Sequence, residues 1–141
     1  MSTATISTFE KSIQKTNLWL EELAQELGTD PQQACQGLRG ALHALRDRLT
    51  VEEACDLGSQ LPLLVRGLYY ENWNPAHNPT AERDLRSFLH RVEGELNNAT
   101  PFAPEEAARA VFRLLSRHCS EGQIHHVRSN LPREIASLWN A

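Results

Sequence analysis

The sequence has no CxxC pair. Its three cysteines, Cys35, Cys55 and Cys119, are odd in number and far apart. That argues against a disulfide framework and suits reduced thiols in a cytoplasm. No apolar run approaches the roughly 20 residues that a membrane helix needs. The opening MSTATISTFEKS lacks a basic region followed by an apolar core, so no secretory signal is expected. Positive charge is not in excess. Fourteen Lys and Arg face 18 Asp and Glu, a net charge of −4, which disfavours a duplex-binding surface. No stretch alternates with period two, so no sheet is expected. Glu-x-x-His is absent, which counts against a di-iron carboxylate bundle.

What is present is ordinary in amount and unusual in arrangement. The 141 residues are 40% hydrophobic and 23% charged, enough for one domain or two small halves sharing a core. The stretch LTVEEACDLGSQLPLLVRGLY, residues 49–69, returns without gaps as CSEGQIHHVRSNLPREIASLW, residues 119–139. Each copy opens on a capping box, Thr50-Val51-Glu52-Glu53 and Ser120-Glu121-Gly122-Gln123. There the hydroxyl accepts from an amide three residues on, and the Glu or Gln reaches back. Short apolar faces follow: Ala54, Leu57 and Leu61, then Ile124, Val127 and Leu131. Leu-Pro then forces a corner, and a new helix starts at Pro62 or Pro132.

The flanking segments fit the same scheme. Residues 1–8 are small and polar, and are expected to be loose. Phe9, Ile13, Leu20, Leu23 and Leu27 share roughly one helical face, which Trp19 widens, and Gly28 stands where a helix C-cap belongs. Asp30-Pro31 restarts the chain as N-cap and first helical residue. The stripe Ala34, Leu38, Ala41, Leu42, Leu45, Leu49 follows, with Arg39, Arg46 and Arg48 read as the solvent face. ENWNPAHNPT, residues 71–80, is the longest break in periodicity and reads as a linker, with Thr80 capping the next helix. Leu85, Phe88, Leu89, Val92 and Leu96 make that helix, which ends near Asn97. Pro104 starts another, with Ala107, Val111, Leu114 and Leu115 inward. Trp19-Leu20-x-x-Leu23-x-x-x-Leu27 matches Phe88-Leu89-x-x-Val92-x-x-x-Leu96. The expectation is therefore an all-α fold of about eight helices. It consists of two tandem four-helix repeats, residues 8–70 and 81–139, joined by 71–80 and packed into one compact domain.

The runs ALHALRDRLTVEEACDLGSQLPLLVRGLYYENW, TNLWLEEL and FRLLSRHCSEGQIHHVRSNLPREIASLW resemble domain of unknown function 2267, from about Thr16 to Trp139. The resemblance implies a bacterial, cytoplasmic, duplicated helical protein without an assigned activity. It carries no catalytic or binding residue over to this chain.

Four groups of residues are candidates for a site. Tyr69, Tyr70 and Trp73, with Asn72 and Asn74, could anchor a partner or plug the junction between halves, and Trp139 at the place of Tyr69 favours packing. His118, Cys119, Glu121, His125 and His126 are metal-competent. Yet adjacent histidines on a helix point about 100° apart, so a metal set of His118, Cys119 and His125 is only a weak alternative. Cys55 and Cys119 read as buried small hydrophobes, and Cys35 lies too far past its N-cap for dipole activation. Arg46, Asp47 and Arg48, one turn after His43, could grip a phosphate or an acidic partner, though such a run is more often a solvated face. The second helix of each repeated stretch suggests a helix-turn-helix corner, but Pro132-Arg133-Glu134-Ile135 offers one cation beside a carboxylate, too little for a phosphate track.

These residues point to a non-enzymatic module that binds another protein or itself, with Tyr70, Trp73, Arg46 and Arg48 at the contact. No cofactor, nucleic acid or membrane is expected. The alternative is a small-molecule or metal-binding protein with a pocket between the halves.

Overall fold

The computed structural model of the chain describes residues 6–140. Eight α-helices and two 3₁₀ turns make it up, with no strand among the described residues. The helices are α1 (Ser7–Leu27), α2 (Pro31–Arg48), α3 (Val51–Ser59), α4 (Leu63–Tyr70), α5 (Leu85–Glu93), α6 (Pro104–His118), α7 (Glu121–Ser129) and α8 (Arg133–Ala136). The 3₁₀ turns are Pro75–His77 and Ser137–Trp139. The all-α expectation is met. Of the expected loose start, residues 1–5 lie outside the described residues, and Ser7 and Thr8 already belong to α1.

Local signals set most helix ends. Gly28 closes α1 in the left-handed region, φ 66°, where a Cβ would be strained. Asp30 accepts from the Gln33 amide at 2.8 Å, with Pro31 first in α2. Thr50 and Ser120 accept from Glu53 N and Gln123 N at 3.2 and 3.1 Å. The return half of the first box is not made, because the Glu53 carboxylate instead accepts from Gln123 Nε2 at 2.9 Å. The two residues meant to close separate boxes bind each other where α3 meets α7. Thr80 does not cap α5. Asp84 does, accepting from Ser87 N at 3.0 Å.

α2 and α6 lie at the centre. α2 packs on α1, α4, α5 and α6, and α6 on α1, α2, α5, α7 and the C-terminal 3₁₀ turn. A helix surrounded by neighbours must be apolar or small nearly all round. α2 buries Ala34, Gly37, Leu38, Gly40, Ala41, Leu42, Ala44 and Leu45, and α6 buries Ala107, Ala108, Ala110, Val111, Phe112, Leu114 and Leu115. Small residues let axes approach: a Cβ on Gly40 would stand 2.9 Å from the Val92 carbonyl oxygen of α5. Each fully buried Leu or Val in this core contributes about 1.5–3 kcal/mol.

α1 departs from its expected face. Its buried residues are Ser12, Thr16, Trp19, Leu23 and Ala24, while Phe9 and Ile13 are half exposed. The cause is α4. Ser12 Oγ accepts from Leu64 N at 3.3 Å, and Thr16 Oγ1 donates to Ser12 O at 2.7 Å. Docking along this polar line leaves the flanking apolar residues of the first turns uncovered.

Candidate functional site

The densest polar cluster surrounds the C-terminal end of α2. A helix leaves its last carbonyls without intrahelical partners, and here the 71–84 segment supplies them. Asn78 Nδ2 donates to Arg46 O and Leu49 O at 2.7 and 2.9 Å. Thr80 N donates to Asp47 O at 2.8 Å and Arg83 Nη1 to Arg48 O at 2.9 Å. Trp73 Nε1 donates to Asn78 Oδ1 at 2.8 Å and so aims the amide that does the capping. The asparagine-rich segment is a fitted cap rather than a slack tether.

The side chains of α2 form a second tier. His43 is buried. Its Nε2 donates to Leu68 O at 2.6 Å and its Nδ1 meets the Glu95 carboxylate. Both partners are acceptors, so the ring is held between a backbone carbonyl of α4 and a carboxylate beyond α5. Arg91 binds Glu95 at 3.0 Å and Asp47 at 3.4 Å. Arg46 binds Asp47 at 2.9 Å and donates to Tyr69 O and Glu71 O at 2.8 and 2.9 Å. Burial pushes the Glu95 carboxyl up, but His43 and Arg91 outweigh it and hold it below the usual carboxylate range.

Arg46 and Arg48 are thus not a solvent face. They are 2% and 4% exposed. α5 and the 71–84 segment, both distant in sequence, cover them. Arg46 is consumed by internal bonds and has nothing to offer a partner's carboxylate. Tyr70 and Trp73 are half buried and packed against the core, their rings 5.4 Å apart, with the Tyr70 ring lying over Gly58. Tyr69 is fully buried, and its hydroxyl donates to Ala54 O at 2.7 Å, tying α4 to α3.

The histidine group does not converge. His118 Nε2 lies 3.1 Å from both Glu22 oxygens, and its ring stacks on Trp19 at 4.7 Å. Arg117 binds the same Glu22 at 3.1 Å. Burial raises the Glu22 carboxyl, and His118 and Arg117 more than reverse that. Cys119 is buried, its thiol pushed up to about 11 by burial, and so unreactive. His125 is exposed on α7, in an open groove with Glu121 and Arg128. Among the described residues no group of three or more His, Cys, Asp or Glu side chains could hold a metal. Cys55, expected to be buried, is exposed, and Cys35 is half buried.

A family model described as an uncharacterized conserved protein, DUF2267, matches residues 16–138. The chain belongs to the DUF2267 family. No curated protein matches it. The matched span begins inside α1 and ends in the last 3₁₀ turn, so it takes in the whole α2 network of this DUF2267 protein. Sequence reasoning missed His43, Glu95 and Arg91 as one cluster. The available signal was a histidine on the inward stripe of α2, one turn before Asp47.

Among the described residues no helix is long and apolar enough to cross a membrane. Two clefts open beside the α2 end. The larger, about 450 Å³, runs between α2 and α5 and is lined by Asp47, Arg48, Thr80, Glu82, Arg86, Ser87, His90 and Arg91. The smaller, about 230 Å³, lies over the Asn72–Asn78 loop.

Proposed function

We propose that this DUF2267 protein is a non-catalytic interaction module that docks another protein, or a second copy of itself, through an apolar face. One observation carries the reading. Phe9 and Ile13 on α1 and Leu64 on α4 are 50%, 46% and 45% exposed, and Ile6 and Leu63 are exposed beside them in sequence. The Ser12–Leu64 bond brings the two helices together at this point. Clustered large apolar side chains on a protein surface mark interaction sites. The anchors move accordingly from Tyr70, Trp73, Arg46 and Arg48 to the first turns of α1 and the start of α4. Unpaired thiols at Cys35, Cys55 and Cys119 agree with a reducing compartment such as a bacterial cytoplasm. The net charge of −4 argues against a nucleic-acid partner.

We also read residues 8–70 and 81–139 as copies of one four-helix unit joined by 71–80. Supporting this, α1 against α6 is answered by α5 against α2, α1 against α2 by α5 against α6, and α1 against α4 by α5 against α8. α1, at 21 residues, exceeds α5, at 9, and its additional turns carry Phe9 and Ile13. The docking face thus belongs to one copy only.

Sedimentation velocity over a concentration series, with a pull-down from cell extract, tests the docking reading. Wild type is expected to self-associate or retain a protein. The Phe9→Ser/Leu64→Ser variant, folded by circular dichroism, is expected to lose that association at least about tenfold. A wild-type monomer that captures nothing, or a variant that binds unchanged, removes this face from consideration.

A further inference from the structure

Buried cations in proteins are paired, because an isolated charge away from water is costly. At the end of α6, His118 has Glu22 beneath it and Trp19 against its ring. At the end of α2, Arg48 sits over Phe88 at 5.3 Å, and among the described residues no carboxylate lies within ion-pairing distance of it. Its Nη1 donates to Ala44 O at 3.1 Å, and its Nε has no hydrogen-bond partner. Arg48 matches His118 at an offset of 118 − 48 = 70, and Arg91 matches Glu22 at 91 − 22 = 69. Where one site has its carboxylate, the other has a second cation, already committed to Asp47 and Glu95.

Arg48 lines the 450 Å³ cleft, within the size range of small-molecule sites. Arg86, Arg91 and His90 face the same space, with the Thr80 and Ser87 hydroxyls. Two carboxylates also line it. Asp47 is held by Arg46 and Arg91, and Glu82 accepts from Thr80 Oγ1 at 2.7 Å. Asp84, nearby, is occupied in capping α5 through Ser87. The cleft therefore holds three guanidinium groups and two carboxylates, both already engaged.

We propose that the cleft between the α2 end and α5 is an anion site that takes a small phosphate-bearing molecule, with Arg48 as its buried anchor and the exposed Arg86 completing the clamp. Guanidinium forks match the geometry of phosphate oxygens, and the bound anion supplies the countercharge that Arg48 lacks. This proposal is independent of the apolar docking face.

The test titrates the full chain with inorganic phosphate and pyrophosphate against sodium chloride at equal ionic strength. It follows thermal unfolding and the arginine Nε–H resonances. Saturating phosphate is expected to raise Tm by about 3 °C or more over chloride, and to move the Arg48 Nε–H signal. Arg86→Gln, at an exposed position, keeps the fold and weakens binding about tenfold. Arg48→Met removes the unpaired charge, so it raises Tm in phosphate-free buffer and erases the phosphate response. Equal effects of phosphate and chloride overturn the proposal, as does an Arg86→Gln response equal to wild type. An Arg48→Met protein that loses stability yet still responds makes Arg48 structural and overturns it as well.

Discussion

At the end of α6, Arg113 reaches back to Glu26 at 2.6 Å and Arg117 to Glu22 at 3.1 Å. At the end of α2, His43 reaches Glu95 and Asp47 reaches Arg91. The offsets are 113 − 43 = 70, 117 − 47 = 70, 95 − 26 = 69 and 91 − 22 = 69. In the first pair a nitrogen side chain, Arg113 or His43, meets a glutamate in both places. The second is inverted, Arg–Glu at one end and Asp–Arg at the other. Either order is neutral in sum, which is what the low-dielectric surroundings require. The third member differs. His118 shares Glu22 with Arg117, whereas Arg48 has the Arg91 guanidinium across the cleft and no carboxylate within ion-pairing distance among the described residues. A second contrast concerns covering. The α2 end is wrapped by residues 71–84, which shield Arg46 and Arg48 from water, while Arg113 and Arg117 stay largely open.

Removing the aromatic beneath Arg48 or His118 should have the largest effect. Phe88→Ala and Trp19→Ala are each expected to cost about 3–5 kcal/mol in urea unfolding, since both rings are buried. A cost near zero at one of them would break the proposed equivalence of the two ends. Next comes the inverted pair. Arg91→Glu sets a third carboxylate beside Asp47 and Glu95 and should cost about 2–3 kcal/mol. Adding Asp47→Arg restores the α6 arrangement and should recover most of that loss, a coupling of about 1–3 kcal/mol in a double-mutant cycle.

Glu95→Gln and Glu22→Gln compare the two carboxylates directly. Glu95 is the more covered, 19% exposed against 29%, so its loss should cost about 1–2 kcal/mol and that of Glu22 less. Their pH dependence follows from the same contacts. Both carboxyls are held below their ordinary value of 4.5 in the fold. The stability they add is complete above that value and disappears as pH falls through the lower folded one. Tm should therefore drop below about pH 4.5, and the double Gln variant should flatten this part of the profile. Arg39→Ala, which breaks an exposed pair with Glu71, should change stability by less than about 1 kcal/mol in the same assay.

Much of the fold was legible because it is written locally. Asp30-Pro31, Gly28, Thr50, Ser120 and Pro104 act on amides within four residues, and all stand at the helix ends they predict. The site was far less legible. Arg46 and Arg48 look solvated on α2 alone, and nothing within a turn of them reveals otherwise. Their cover comes from Asn78, Arg83 and Phe88, more than 30 positions away. Glu53 closes its capping box on paper, yet Gln123 takes its carboxylate across 70 positions. Phe9 and Ile13 have the right period for a core stripe, but α4 docks one residue round the helix and leaves them outside.

Residue order alone says which segments are helices, where most begin, and that their apolar stripes need one another, because hydrogen-bond capping and the 3.6-residue period are short-range. Which charges lose water, which of them meet a countercharge, and which apolar side chains are left facing solvent emerge once the helices pack. Those outcomes depend on the neighbours that distant segments bring, and a buried guanidinium differs from an exposed one only through what is packed around it.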